Sequence, residues 1–578
     1  MLAFEKFEKL AQGEVAQRPV EMALVGKQGE HLSAWQDALI HLDRYEQHRQ
    51  LTVVLGEMVV ADIKDELRYQ ILDKTLTMVE RLVARLHSDY IYSPQSPALE
   101  QRSSVQEVRS LYFLLILAYQ GIAYRAYEKI GHDGIGQEEH QSTKPHWFKR
   151  LVGALPSNVV RNGMTLDLMN PSKRLFALSV YRIMGVYFKL LLEFALTYQK
   201  TPRSLWGRMN DWYLKSVMIG VENVHVSQLG DDLAHYSIHH QYVQSCLASF
   251  ANLFAYRRED ILNIFKLLPT WAKRTRTTFV PHERLKVFVN LQAATPPELI
   301  TPYASINPYA DNQVCLFFDT TELFHHLHKL QDIGKKQSDG GSFESRLAKM
   351  VLLSFERKFD SSASIGGTSE YLAQMQTGFS AIFNRLADDK SFAQLIHQAH
   401  LPSIYHPKIK QGGSRVPDEK VRVLTKSDLN VHFICGELRE TLAEPAPTRP
   451  YLPVFGLFAL RSHQSTNKHP WRLGIVHWAE PRNDQVAVDG RFLGRVLSVC
   501  GVRLMNQDMR SQDFVQALLV AGDGLGQQTT LVMPRYHFKE GDMVMLRIDD
   551  KESMLRLEQN LLSTDDVEQY QIVRLVVS

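Results

Sequence analysis

Two stretches near the C-terminus decide the fold: Pro453–Glu480, PVFGLFALRSHQSTNKHPWRLGIVHWAE, and Val496–Met509, VLSVCGVRLMNQDM. Their short runs Val454 to Leu460, Trp471 to Trp478 and Val496 to Leu504 are β-branched and aromatic-rich, with a period of two and polar or glycine breaks between them. That is the pattern of half-buried strands joined by turns. Working outward, Val421 to Leu424, Val431 to Cys435, Thr529 to Val532, Met543 to Ile548 and Tyr570 to Val577 repeat the texture. Asp489-Gly490 and Glu540-Gly541-Asp542 supply residues that tolerate positive φ, and read as reversals. Strands at this spacing predict a small antiparallel sandwich or barrel over 402–578.

Upstream, the period changes to that of a helix. Ile63, Leu67, Ile71, Val79, Leu82, Val83 and Leu86 recur mostly three or four apart over Ala61 to Leu86. The same spacing returns over Val105 to Ile130, Arg174 to Tyr198, Ser204 to Met218 and Gln241 to Leu268, where Pro269 reads as a stop. Gly131 to Lys144 and Gly153 to Gly163 read as loops, and residues 1–270 as a helical region. Between the two textures, 271–401 reads as mixed α/β: strands at Lys286 to Leu291 and Val314 to Phe318, helices at Thr321 to Leu330 and Phe343 to Phe359. Pro402 to Pro417, with Gly412-Gly413-Ser414 inside, reads as a linker. The fold class is therefore multidomain: mainly α-helical, then mixed α/β, then an antiparallel β-barrel.

Composition bounds the function. The 578 residues are 44% hydrophobic and 22% charged, values of a chain that can bury a core. The 66 basic and 63 acidic side chains nearly cancel to +3, which argues against a counterion-driven nucleic-acid binder, so any anion site must be local. Cys246, Cys315, Cys435 and Cys500 are too scattered for a zinc ribbon or redox pair and fit a reducing compartment. The start MLAFEKFEKL is charged where a secretory signal is apolar, and the apolar run Leu111 to Tyr124 falls short of a spanning helix. The expectation is a cytoplasmic protein without membrane insertion.

Candidate chemistry is sparse. His235, His239 and His240, with Asp231 and Asp232 upstream, place histidines at i and i+4, but Tyr236 stands where a zinc protease needs glutamate. His325, His326 and His328 read as the polar face of a packed helix, and GDGLG at Gly522 to Gly526 as a turn. No nucleophile elbow, zinc-protease or kinase signature is present, so no catalytic or metal site is assigned and the chain is read as a non-enzyme. What remains is a basic stretch at the barrel's entrance. Lys408, Lys410, Arg415, Lys420 and Arg422 lie near glycines that would let backbone amides approach a ligand. Arginine's planar fork grips phosphate and its face stacks on a purine, so Lys410, Arg415, Lys420 and Arg422 are the candidate ligand-binding residues.

Three segments together resemble a proteobacterial family of long PilZ-domain proteins. The first is FALSVYRIMGVYFKLLLEFALTYQKTPRSLWGRMNDWYLKSV, with Arg182, Tyr198, Pro202, Trp206 and Tyr213 in the family's positions, followed by the similar helix pair QYVQSCLASFANLFAYRREDILNIFKLL. The second is the pair of stretches quoted at the outset, with Gly456, Trp471, Gly474, Val476, Trp478, Gly501 and Leu504 recurring. The third, MPRYHFKEGDMVMLR, is similar to the closing strands. The resemblance implies a cyclic di-GMP receptor barrel behind a helical region that contacts an unidentified protein partner: an adaptor of that signalling network with no other cofactor. PilZ receptors carry RxxxR and D/NxSxxG; here Arg415 and Arg422 are seven apart, and LRETLAEPAPTRPYL replaces the second motif. Those departures favour the alternative, a ligand-free interaction scaffold on a degenerate barrel. A metal-dependent hydrolase around His235 and His239 ranks behind both.

Overall fold

The structure, a computed structural model, describes residues 1–91, 99–134, 166, 169–197, 199, 201–226, 237–251, 253, 256–282, 285, 287–300, 306–310, 313–336, 344–345, 347–348, 350–352, 369–388, 390–396, 418–425, 430–435, 452, 455–462, 471–482, 485–505, 513–521, 529–535, 538–564 and 566–575. The chain divides into two compact units, essentially 1–362 and 363–578. The segment expected as a middle region is thus shared out between them. Among its strands, β1 (Arg276–Thr278), β2 (Val287–Asn290), β3 (Glu298–Leu299) and β4 (Cys315–Asp319) form a sheet in the first unit, and β5 (Ser369–Thr377) joins the sheet of the second.

In the first unit, Arg44–Val60, Asp65–His87, Leu99–Gly134, Pro171–Leu196, Arg203–Ile219, Ile238–Phe250 and Arg258–Ala272 are helices. Their ends are locally encoded: the side chains of Asp43, Asn170 and Ser237 accept amide bonds at three N-termini. Gly220, at φ +76°, closes Arg203–Ile219 in the left-handed conformation that glycine adopts without strain. The apolar run from Leu111 is buried nearly all round, as expected of a core helix. Pro171–Leu196 is long and apolar enough to cross a membrane, and 67% of its most apolar window is buried within the protein. Pro269 does not stop its helix, which runs on to Ala272 because Trp271 and Ala272 are buried and anchor the last turn. The helical period over Gln241 to Leu268 is carried by two helices, Ile238–Phe250 and Arg258–Ala272, in line with the helix pair that the resemblance implies.

The antiparallel barrel is present in the second unit, and it is double. Strands β6 (Glu419–Thr425), β7 (Asn430–Cys435), β8 (Leu457–Ser462), β9 (Arg472–Arg482) and the first half of β10 (Gln485–Leu504) close with β5 into one circuit, β5-β6-β7-β10-β9-β8. The second half of β10 closes with β11 (Val515–Ala521), β12 (Thr530–Pro534), β15 (Val567–Arg574), β14 (Lys551–Ser563) and β13 (Met543–Ile548) into another. Closure leaves neither circuit with an unpaired edge. Gly494 marks the changeover on the shared strand, at φ +146°, and a Cβ there would lie 2.1 Å from the Ala521 carbonyl oxygen. Asp489-Gly490, expected as a hairpin turn, lies inside β10; glycine is needed there because the Phe458 ring fills the space a Cβ would take. The circuit begins at Ser369, upstream of the expected boundary at 402.

Candidate ligand-binding face

Strand β6 alternates Lys420 exposed, Val421 buried, Arg422 exposed, Val423 buried. The pleat therefore sends the two cations out on the face opposite the barrel interior. Register extends this face sideways: Lys420 pairs with Gln374 on β5, and Gln374 pairs with Arg461 on β8. Directly paired residues share a face, so Lys420 and Arg461 flank Gln374 at roughly 10 Å across two strands. Arg422 pairs with Leu372, which is 41% exposed. Three cations and an apolar side chain thus stand together on one side of the first barrel.

Arg461 is held in place. Its Nε and Nη2 donate to Gln374 Oε1 at 3.2 and 2.7 Å, and its guanidinium lies 4.9 Å from the centre of the Trp471 indole. From another side, Arg385 lies 5.6 Å from the same indole and donates to both oxygens of Asp418 at 2.7 and 2.8 Å. Gln376 donates to Asp418 at 2.8 Å. Burial works against the Asp418 carboxylate, and the bonds from Arg385 and Gln376 outweigh it, holding the carboxyl below its usual range. Asp418 opens β6, so the pair fastens the entry to that strand.

Of the four residues expected from the sequence, Lys420 and Arg422 lie together on this face. Lys410 and Arg415 lie outside the described residues, as do the linker Pro402 to Pro417, the LRETLAEPAPTRP segment up to 450, and GDGLG. Sequence reading missed Arg385 and Arg461, which reach the site only through strand register and helix packing. The one local signal was Arg461 two residues beyond Ala459 in an alternating strand.

The histidine cluster dissolves. His239 accepts or donates at both ring nitrogens, with Tyr213 Oη 2.7 Å from Nδ1 and Thr277 Oγ1 3.2 Å from Nε2. Burial and neighbouring His240 push its pKa down to about 4, so the ring is a neutral strut between elements with no lone pair to spare for a metal. His235 lies outside the described residues; among those described, no three or more His, Cys, Asp or Glu are grouped to hold a metal ion. None of the four cysteines is in a disulfide, and all four are buried.

A helical unit with its own small sheet, and a second unit of two fused barrels with a cationic face, define a multidomain binding protein. Residues 30–282 match the family model described as cyclic-di-GMP receptor FimW, N-terminal domain, and residues 500–575 match the FimW C-terminal beta-barrel domain. The two matches fall in order and together span more than half of the chain, which belongs to the FimW family. The second match coincides with the second barrel circuit, and the first contains Arg182, Pro202, Trp206 and Tyr213. The family is one of receptors, a role of binding and not of catalysis. No curated protein and no solved structure matches the chain.

Proposed function

We propose that the chain is a cytoplasmic bacterial effector of cyclic di-GMP, whose first barrel is a divergent PilZ-like receptor and whose helical region engages a protein partner. The observation that carries this reading is the cationic face of Lys420, Arg422 and Arg461 on a closed barrel, in a chain of a family named for a cyclic-di-GMP receptor. The ligand offers two phosphodiesters and two guanines. Cations on a rigid sheet supply phosphate contacts, and guanidinium planes supply stacking surfaces. Lys410 and Arg415, on the arm leading to β6, complete the cationic set in this reading.

Calorimetric titration of the full chain with cyclic di-GMP tests it. Saturable heat at one or two ligands per chain, reduced by Lys420→Ala with Arg422→Ala, is the expected result. A flat titration would return the chain to the alternative reading, an interaction scaffold. One observation favours that alternative: Arg385 is already neutralised by Asp418, which lowers the positive charge available to a ligand.

A further inference from the structure

We propose that Arg461 is the ligand-gripping arginine of this face, stacking one purine of a cyclic dinucleotide and donating to a phosphate, with Gln374 as its positioning residue. The assignment rests on the receptor reading above and deepens it by naming the side chain that replaces the missing four-residue arginine spacing.

A flexible arginine on a protein surface loses rotamer freedom when it closes on a ligand, and binding is weakened by that much. Arg461 has lost it already. Its guanidinium carbon lies 4.9 Å from the centre of the Trp471 indole, itself only 6% exposed, and one edge is bonded through Nε and Nη2 to Gln374. What is left is Nη1, which makes no bond to the protein among the described residues, on a side chain that is only partly buried. Arg385 is bonded to both oxygens of Asp418, whereas Arg461 feels that carboxylate only at longer range and makes no salt bridge among the described residues, so more of its charge is available. A planar cation already fixed beside an indole and still partly exposed is suited to stack on a base. Around it, Lys420 and Arg422 supply charge for the second phosphate, and Leu372 supplies apolar surface beside the ring.

Lysine at this position would keep the charge and lose both the plane and the fork. Full-length protein titrated with cyclic di-GMP should therefore show Arg461→Ala weakening Kd by about 10-fold or more, the effect of one charged, oriented contact. Arg461→Lys should stay within about 3-fold of the alanine variant, since stacking is what lysine cannot supply. Gln374→Ala, which removes no charge, should weaken Kd severalfold by releasing the guanidinium. Both side chains lie on the outer face, and an unchanged thermal midpoint in Arg461→Lys and Gln374→Ala keeps the comparison on folded protein. Alanine within twofold of the parent, or lysine restoring the parent Kd, overturns the assignment alone. No binding by the unsubstituted chain overturns the receptor reading and takes this assignment with it.

Discussion

Phe458 sits inside the first barrel at 0% exposure, in a slot cut by two glycines on neighbouring strands, and this makes a prediction that tests the register directly. A Cβ on Gly474 would lie 2.3 Å from Phe458 Cζ, and one on Gly490 would lie 2.5 Å from Cε1 and 2.7 Å from Cζ. The ring cannot slide aside, because Phe433 and Phe492 stand at centroid distances of 5.1 and 6.0 Å. Gly490→Ala therefore overpacks a close-packed interior and should cost about 1–3 kcal/mol. Phe458→Ala opens a cavity and should cost about 3–5 kcal/mol. In the double variant the new methyl occupies part of that cavity and meets no ring. Its cost should fall short of the sum by about 1–3 kcal/mol, the size of coupling expected for residues in contact. A chain of two units does not unfold in one step, so the readout is hydrogen exchange at amides of β8, β9 and β10 in dilute denaturant. Additivity to within about 0.5 kcal/mol would refute the placement of Phe458 between these glycines.

Three further outcomes are expected. Gly494→Ala, at φ +146° with the Ala521 carbonyl oxygen 2.1 Å from the new Cβ, should cost about 3 kcal/mol or more and shift the melting of the barrel unit. A variant as stable as the parent would dismiss the changeover at this residue. Arg385→Ala removes a pair that is 16% and 15% exposed and should destabilise the barrel unit by about 1–3 kcal/mol at neutral pH. Asp418 has a folded pKa below its unfolded value, so its stabilisation is present above about pH 4 and lost as pH falls through the depressed folded value. The variant should lack that acid-side loss, as pH-dependent thermal melts would show. His239 carries the opposite signature within the helical unit: its folded pKa is about 4 against 6.5, so the unfolded chain takes up the proton first. Stability of that unit should fall by about 1–2 kcal/mol from pH 6.5 to 4, less than a fully shielded ring would give, and His239→Gln should flatten the slope.

The strands of the second unit were legible where one face is buried and the other is not, because alternation then survives in the sequence. Strand β11, VQALLVA, was missed since both its faces are covered: Leu518 and Val520 point to one apolar cluster, Val515 and Ala517 to another. Strand β14 was missed for a different reason, as register shifts between Leu557 and Asn560 and between Asn560 and Leu562 interrupt its period. Strand β5 was hidden by Gln374 and Gln376, polar residues on the outer face that bond to Arg461 and Asp418. Lys420 and Arg422 could be read as a site because a basic stretch is local. Arg385 meets Asp418 across 33 residues and Arg461 meets Gln374 across 87, and no window of sequence contains such pairs. The doubling of the barrel was illegible for a similar reason: it depends on one strand of 20 residues changing partners halfway, and Asp489-Gly490 within it mimics a turn.

The two circuits share more than that strand. Helix Phe379–Leu386, carrying Arg385, turns Phe379, Ile382 and Phe383 into a cluster with Leu457, Ala459, Trp471 and Leu473 of the first barrel. The same cluster includes Val499, Leu518, Val520, Val532 and Val567 of the second. A few residues on, the carbonyls of Leu395 and Ile396 accept from Asp549 N at 3.1 Å and Arg547 Nη1 at 3.0 Å. Ile396 also occupies the space beside Gly501, where a Cβ would lie 2.6 Å from its Cγ2. The segment is therefore a wedge set against both barrels, with its one arginine on the cationic face. Burying each large apolar side chain is worth about 1.5–3 kcal/mol, so the wedge binds the barrels together far more strongly than Arg385 binds Asp418. An anion that draws Arg385 away from Asp418 would thus leave the wedge seated and free the entry to β6.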